Sequence, residues 1–334
     1  MASIKDVAQR AGVSTATVSR MMAGKSYISE ETRERVQAAI DELDYRPNRV
    51  AQRLRERQSR ILALIVSDIQ NPFFGALSRT VETFAQRHGL SVFICNTDED
   101  AAKEAHYLEL MLQEKVAGVI LSPTRRALPP LKTLKQKGIP VVTVDRRVSR
   151  DFDSVLIDNT EAARQLTGRI IAAGYTRVAG IFGANSFTAD ERRAGFGEEL
   201  AAHGLKPHAE ELPPAFEAEG RAAMERLLAL NPRPDAVICS SALLATGAYQ
   251  ALNAARLTHE VGFACFDDPP WATCVSPAVT VIAQPTALIG ETAFELLLKR
   301  IEEPDRATSH IRLQGTLIER DSLRGTGQRD PLST

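Results

Sequence analysis

The chain is expected to fold as a small all-α head, a short linker helix and a larger α/β body made of two doubly wound parallel-sheet subdomains. Three observations carry this expectation. The 334 residues exceed what a single hydrophobic core usually organises, so more than one domain is expected. The spacing of apolar residues follows a helical period up to about residue 45, then turns into short continuous apolar runs alternating with helical segments. Charge is unevenly spread: residues 1–60 carry 12 Lys+Arg against 8 Asp+Glu, and the rest of the chain carries 29 against 34. A basic head on an acidic body is the distribution of a nucleic-acid binder with a separate second domain.

The remaining composition excludes several classes. With 44% apolar and 25% charged residues, the chain has enough apolar surface to fold and is neither disordered nor fibrous. No stretch approaches the 18 consecutive apolar residues of a membrane span, so no membrane partner is expected. The start, Met1-Ala2-Ser3-Ile4-Lys5-Asp6, lacks the apolar core of a secretory signal, and a cytoplasmic location is expected. Cys95, Cys239, Cys265 and Cys274 form no C-x-x-C pair and read as inert thiols, mostly buried. The histidines are scattered, with no H-E-x-x-H, so neither a metal nor another cofactor is expected.

In the head, Ile4, Val7, Ala8 and Ala11 fall at i, i+3, i+4 and i+7, one apolar helical face. Ser3 suits the N-cap and Gly12 a left-handed C-terminus. Ser14 caps a second helix from Thr15 to about Met22, with Val18 and either Met21 or Met22 turned inward. Ser29 caps a third, with Thr32 at N3, Glu30 and Glu31 in the first turn, and Val36, Ala39, Ile40 and Leu43 as its buried stripe. Two helices on a short Gly-containing turn with a third packed on them describe a helix-turn-helix unit. The second helix exposes Thr15, Ala16, Thr17, Ser19 and Arg20. Small side chains let a helix sit deep in a DNA major groove, and an Arg can grip guanine through O6 and N7. A plain helical bundle with a polar face would show part of the same pattern.

Pro47 suits the first turn of another helix, Asn48 to Arg55, with Val50, Ala51 and Leu54 on one side and arginines around them. Such a helix is too short to be stable alone in water. A leucine flanked by arginines is chemically suited to unstack a minor-groove base step.

Ile4-Lys5-Asp6-Val7-Ala8, Ala11-Gly12-Val13-Ser14, Thr17-Val18-Ser19-Arg20 and Tyr45-Arg46-Pro47-Asn48 together resemble the DNA-binding head of the lac repressor (LacI/GalR) family, over nearly every position from 3 to 58. The resemblance implies that Thr15, Ala16 and Arg20 read the major groove and that Leu54 enters the central step from the minor groove; Thr17, Arg49 and Ala51 are further DNA-binding candidates. Ala16 offers only an apolar contact, such as one to a thymine methyl.

From Ile61-Leu62-Ala63-Leu64-Ile65-Val66 onward the runs read as strands buried on both faces. Strands are expected at 61–66, 90–95, 117–122, 139–144, 154–158, 177–182, 235–240, 261–266 and 279–283, with helices between most of them, including 75–88, 100–115 and 129–137. This alternation implies parallel sheets covered on both faces, and ligands of such sheets bind outside the carboxyl ends of the strands. Those ends carry Phe73 and Phe74, Asp145 and Arg146, Arg192, Ser240 and Ser241, Asp267 and Trp271, and Gln284. Flat rings and bidentate polar groups suit a sugar. Taken singly, Asp267 could cap a helix, Phe73 and Phe74 could be core, and Trp271 could be a packing residue.

The body resembles the same family's effector domain, similar in turn to periplasmic sugar-binding proteins, through Asn71-Pro72-Phe73-Phe74, Arg192 before Ala194-Gly195-Phe196, Phe266-Asp267-Asp268 and Gln284-Pro285. The resemblance covers essentially residues 3–325. It implies that Phe73, Phe74, Asp145, Arg192, Phe216, Ser241, Asp267 and Gln284 line a cleft between two subdomains. Arg146 and Trp271 join them as candidates, Trp271 as a stacking surface that favours a sugar or sugar acid over a purine. A ligand carboxylate would find Arg192 first and Arg146 second. Two positions depart from the family: Ala242 stands where an Asp is usual, and Ser241 where an amide is frequent. The implied domains are 1–46, a linker at 47–59 and a body at 60–334, with one subdomain at about 60–158 plus 286–318 and the other at about 159–285 plus 319–334.

The function so implied is a DNA-binding transcriptional regulator, most simply a repressor, acting as a homodimer on a pseudo-palindromic operator and controlled by a small-molecule effector. The polar tail after Arg320 is too short and Gly/Pro-rich for a coiled coil, which favours a dimer over a tetramer. An α/β enzyme acting on a sugar would need a nucleotide fingerprint or nucleophile motif. Gly195-Phe196-Gly197 lacks the third glycine and lies in an expected helix, and there is no G-x-S-x-G. A solute-binding protein that never meets DNA would have no use for the head.

Overall fold

The structure, a computed structural model, describes residues 4–22, 28–43 and 59–324. The Ser3 cap, the linker-helix candidates Arg49, Ala51 and Leu54, and the tail beyond Arg324 lie outside the described residues. The chain divides into two units between Ser59 and Arg60.

The first unit holds α1 (Ile4–Ala11), α2 (Thr15–Met22) and α3 (Glu30–Glu42). Gly12 ends α1 at φ 66°, and Val13 N donates back to the Ala8 carbonyl (3.0 Å), closing the C-terminal turn as a left-handed residue allows. Ser14 Oγ accepts from Thr17 N at 3.1 Å, satisfying one of the free donors at the start of α2. Ser29 behaves differently from the expected cap: its hydroxyl donates to Thr32 Oγ1 (2.9 Å) and makes no side-chain cap to the backbone. Val7, Ala8, Ala11, Val18, Val36 and Ala39 form the core, with Val13, Met21, Ile40 and Leu43 packed around it. Met21 is thus the inward methionine, and Met22 is exposed.

The second unit contains two six-stranded sheets. The first has the order β11-β5-β4-β3-β1-β2, with β1 Ile61–Val66, β2 Ser91–Asn96, β3 Gly118–Leu121, β4 Val141–Val144, β5 Asp153–Ile157 and β11 His310–Leu313. All its pairings are parallel. The second has the order β12-β10-β9-β8-β6-β7, with β6 Val178–Ile181, β7 Ala209–Glu211, β8 Ala236–Cys239, β9 Gly262–Phe266, β10 Thr280–Ala283 and β12 Thr316–Ile318. Here β12 runs antiparallel to β10 and the rest are parallel. The helices are α4 (Pro72–Arg87), α5 (Ala101–Gln113), α6 (Leu128–Gln136), α7 (Asn159–Ala172), α8 (Phe187–Ala202), α9 (Glu217–Leu228), α10 (Ala242–Ala254) and α11 (Thr286–Glu302).

Strand β1 shows why the apolar runs are continuous. Leu62, Leu64 and Val66 pack with Leu77, Val81 and Phe294 on one face, while Ile61, Ala63 and Ile65 pack with Leu108, Met111 and Leu131 on the other. A strand covered on both faces leaves no position for a polar residue. The second sheet is sandwiched in the same way between two further clusters.

Three strands have no counterpart in the sequence expectation. Strand β7 is three half-buried residues, and β7, β11 and β12 all lie at sheet edges, β11 with alternating exposure. None forms an apolar run. Strand β12 also corrects the expected subdomain limits. Thr316, Leu317 and Ile318 pair with Ala283, Ile282 and Val281, so the last crossing between sheets falls between Leu313 and Thr316, not after residue 318. Gly195 lies inside α8, where an added Cβ would come 2.2 Å from the Thr160 carbonyl oxygen. It is a helix-packing glycine, not part of a phosphate loop. Three cysteines are buried and Cys274 is exposed.

Candidate functional site

In the head, α2 presents Thr15, Ala16 and Arg20 to solvent and half-exposes Thr17. The Thr17 hydroxyl is engaged with Ser14 Oγ at 2.9 Å, so it helps hold the start of α2. No hydrogen bond or ion pair ties Arg20 to the described residues. Among the described residues its five guanidinium donors meet no partner.

In the body, the two sheets direct the carboxyl ends of their strands at one cavity of about 630 Å³, within the size range of small-molecule sites. Asn71, after β1, caps α4 by accepting from Phe73 N at 3.0 Å. This fixes Phe73 and Phe74 at the helix start, their rings edge-to-face at 4.9 Å. Both line the cavity and both belong to the core behind it.

The sheets build one device twice. Asp145 follows β4 and Asp267 follows β9, at corresponding places in the two strand orders. Both adopt left-handed backbone, φ 65° and 68°. Each donates its N–H to the neighbouring strand, Asp145 to the Val155 carbonyl (3.2 Å) and Asp267 to the Ile282 carbonyl (2.9 Å). A non-glycine residue pays about 1 kcal/mol for this conformation, less for Asp than for most. The turn sets both carboxylates at the cavity wall. Asp145 Oδ2 accepts from Arg146 Nε (3.0 Å) and Ser122 Oγ (3.3 Å). Burial pushes the Asp145 carboxyl up, while the guanidiniums of Arg146 and Arg192 oppose that rise. Asp267 Oδ2 accepts from Ala242 N (3.0 Å) and its Oδ1 from Gln284 Nε2 (2.6 Å). Ala242 therefore serves through its backbone N–H.

Arg192 comes from α8 and is buried. Its Nε donates to Asn159 Oδ1 (2.8 Å) and its Nη1 to the Ser240 carbonyl (2.6 Å), and its guanidinium lies 4.1 Å from the centroid of Phe266. Burial lowers its pKa, and Asp267 and Asp145 offset part of that. Arg146 is closed off differently. Its Nη1 and Nη2 donate to Glu99 Oε2 and Oε1 at 2.6 and 2.5 Å. Burial works against its charge, but Glu99 and Asp145 more than compensate and hold the guanidinium above its usual range.

Phe73, Phe74, Asp145, Arg146, Arg192, Phe216, Ser241, Asp267 and Gln284 all line the cavity, and Trp271 does not. Its indole Nε1 donates to Thr246 Oγ1 (2.9 Å), and its ring lies 5.2 Å from that of Tyr249, against the core of the second sheet. It is a packing residue with its one donor satisfied, which corrects its expected place in the cleft. Ser241 Oγ is buried with no hydrogen-bond partner among the described residues.

The strand-end rule would also have led to Glu99, after β2, and Arg125, after β3. Arg125 crosses the cleft: its Nη2 meets Asp190, its Nε donates to the Asn185 carbonyl (3.1 Å), and its guanidinium sits 4.2 Å from the Phe187 ring centroid. Asn159, which orients Arg192, had no signal in the sequence. Among the described residues, no helix is long and apolar enough to cross a membrane, and no group of three or more His, Cys, Asp or Glu could hold a metal.

A helix-turn-helix head joined to a two-sheet body with a ligand-sized cleft at its strand ends is the plan of an effector-controlled DNA-binding protein. Comparison with known proteins gives the family. Residues 3–48 match the bacterial regulatory proteins of the lacI family, and residues 59–320 match the periplasmic binding proteins and sugar binding domain of LacI family. The chain belongs to the LacI family of DNA-binding transcriptional repressors and carries that family's sugar-binding domain. It is 34% identical to the ribose operon repressor of Halalkalibacterium halodurans, over 97% of this chain and 98% of that one. The lac repressor dimer bound to operator and the anti-inducer ONPF superposes with a TM-score of 0.86 at 25% identity, over 96% and 99% of the two chains. A transcriptional regulator CelR–cellobiose complex matches at 30% identity and a TM-score of 0.72, over 96% and 100%.

Proposed function

We propose that the protein is a cytoplasmic repressor that binds a pseudo-palindromic operator as a homodimer and responds to a sugar or sugar acid held between its two sheets. The observation that carries this reading is the convergence of polar and aromatic side chains from both sheets on one cavity: Phe73 and Asp145 from one side, and Arg192, Ser241, Asp267 and Gln284 from the other. Rings, carboxylates, a guanidinium and an unpartnered hydroxyl can together satisfy the faces and hydroxyls of a sugar. Relatives of similar length support it, one a ribose operon repressor and one solved with cellobiose.

Ligand bound across the cleft favours the closed arrangement of the two sheets. If that arrangement binds operator more weakly, operator lowers ligand affinity by the same factor. Exposed Ile69, Phe93 and Ile94, on β2 and the loop bonded to it through Asn96, support a contact with a second copy. Arg20, open on α2, is assigned to a base edge, and Leu54 to the minor-groove step.

The experiment is operator binding by purified protein, with and without a panel of sugars and sugar acids. Expected are selective binding to a two-fold-related site and release by one panel member. Arg20→Ala should lose about 1–3 kcal/mol and relax specificity at one base pair. A chain lacking residues 1–58 that still bound operator would overturn the reading, as would a sugar turned over into product.

A further inference from the structure

Two arginines line the cleft deeply, and the structure treats them differently. Arg192 has Nη2 without a protein partner among the described residues, its other nitrogens being held by Asn159 and the Ser240 carbonyl. Arg146 has every nitrogen committed: Nε to Asp145, and Nη1 and Nη2 to the two oxygens of Glu99. This is the planar fork-to-fork geometry by which a guanidinium takes the carboxylate or phosphate of a ligand. Here a protein carboxylate already occupies the fork.

The loop that delivers Glu99 is built for it. Asp98 and Glu99 both have left-handed backbone, φ 52° and 57°, an uncommon run for two non-glycine residues. Asn96 Nδ2 (2.6 Å) and Lys103 Nζ (2.5 Å) donate to Asp98. Glu99 N donates to the Ser67 carbonyl (3.1 Å), and Asp100 caps α5 by accepting from Ala102 N (2.7 Å). Contacts on both sides thus hold the strained pair in place. The remaining cavity charges do not invite an anion. Five carboxylates and four guanidiniums line it; Arg125 is paired to Asp190, and Arg126, exposed to water, is the guanidinium that meets no side-chain partner among the described residues.

We propose that Glu99 is a specificity-determining residue: by filling the Arg146 fork it reserves the cleft for uncharged polyhydroxylated ligands and keeps sugar phosphates and sugar acids out. The proposal rests on the sugar reading above and narrows it. An uncharged hydroxyl can use the open Nη2 of Arg192 and the Asp145 and Asp267 carboxylates. An incoming anion must displace Glu99 from the buried fork or be held at Arg126, whose exposed guanidinium is shared with water.

The test is calorimetric titration of the full chain with sugars that keep the same ring and differ by an added anionic group: glucose against glucuronate and glucose 6-phosphate, and ribose against ribose 5-phosphate. Wild type should bind a neutral sugar at least about tenfold more tightly than its charged counterpart, the scale of one charge-assisted hydrogen bond. Glu99→Gln removes the carboxylate charge and one of its two bonds to the fork, so that a ligand anion can compete for Arg146, and should reduce that preference at least about tenfold. The double variant Glu99→Gln with Arg146→Gln, which removes the fork, should restore it. If Glu99→Gln does not fold, Glu99→Asp withdraws the carboxylate by one methylene and should reduce the preference in the same direction. Wild type that binds a sugar phosphate or acid as tightly as the neutral sugar overturns the role of Glu99 and leaves the sugar reading standing. So does an unchanged preference in the variants. If no sugar of either kind binds wild type or variant, the sugar reading fails and the proposal falls with it.

Discussion

Replacing Asp267 by Ala, Gly and Asn separates the contributions of its carboxylate from those of its backbone. The side chain accepts two hydrogen bonds, from Ala242 N at 3.0 Å and Gln284 Nε2 at 2.6 Å. Ala242 is itself buried, so its N–H would have no substitute acceptor. Hydrogen bonds to a charged acceptor contribute about 1.5–3 kcal/mol each, and the lower end applies beside an open cleft, about 3 kcal/mol for the pair. The backbone stands at φ 68°, where Ala costs about 1 kcal/mol more than Gly. Asp267→Ala should therefore lose about 4 kcal/mol and Asp267→Gly about 3. Asn tolerates the left-handed region. It can accept from Ala242 N while the Gln284 amide turns over, so it should lose about 1 kcal/mol. At about 2–4 °C per kcal/mol for a body of this size, the Ala variant should melt roughly 8–16 °C below wild type. The Gly variant should melt about 2–4 °C above Ala. Thermal unfolding by circular dichroism, with urea titration as a check, reads all three. Ala and Gly variants of equal stability would refute the backbone term, and Asn as damaging as Ala would refute the hydrogen-bond term. Operator binding should persist in every folded variant, and the effector response should be lost in Ala and Gly.

Trp271→Phe removes the bond to Thr246 and should cost about 1 kcal/mol in stability while leaving effector affinity unchanged; a loss of affinity above about tenfold would put the ring back in the cleft. Asp190 and Arg125 are largely exposed, so Asp190→Ala should change stability by less than about 1 kcal/mol. Arg125→Ala also removes the Asn185 and Phe187 contacts and should shift the two sheets apart more than Asp190→Ala does. A label-to-label distance across the cleft measures this, and equal shifts would reject the ranking. Glu104 is buried and accepts from Thr124 N and Oγ1, both at 2.7 Å. Burial nonetheless raises its pKa above the ordinary 4.5. The folded chain thus binds this proton more tightly than the unfolded chain. The associated stability is full below pH 4.5 and is lost as pH rises through the raised value. Glu104→Gln, neutral throughout, should flatten that decline, and melting curves of variant and wild type that stay parallel across this window would reject it.

The sequence already carried much of the body. Strands such as 61–66 and 261–266 are apolar throughout because both faces are covered, and that pattern survives in one dimension. The rule that ligands gather at strand ends points to Asp145, Arg192, Asp267 and Gln284 from the sequence alone. Strands β7, β11 and β12 were not legible, because short edge strands bury too little to need an apolar run. The switch of the chain back to the second sheet at Thr316 was hidden for the same reason.

Which side chains meet was a separate matter. Trp271 satisfied the strand-end rule as well as Asp267 did, yet its indole N–H found Thr246 and its ring found Tyr249, so it faces the core. Glu99 and Arg146 each follow a strand in the sequence, but nothing there shows that they pair. They join only when β2 and β4 take their places in one sheet and a left-handed turn carries Glu99 inward. Periodicity records which face of an element is buried, because burial repeats with the local geometry of the chain. A bidentate ion pair between residues 47 positions apart repeats nothing. It is set by strand order and turn geometry, and those exist only in three dimensions.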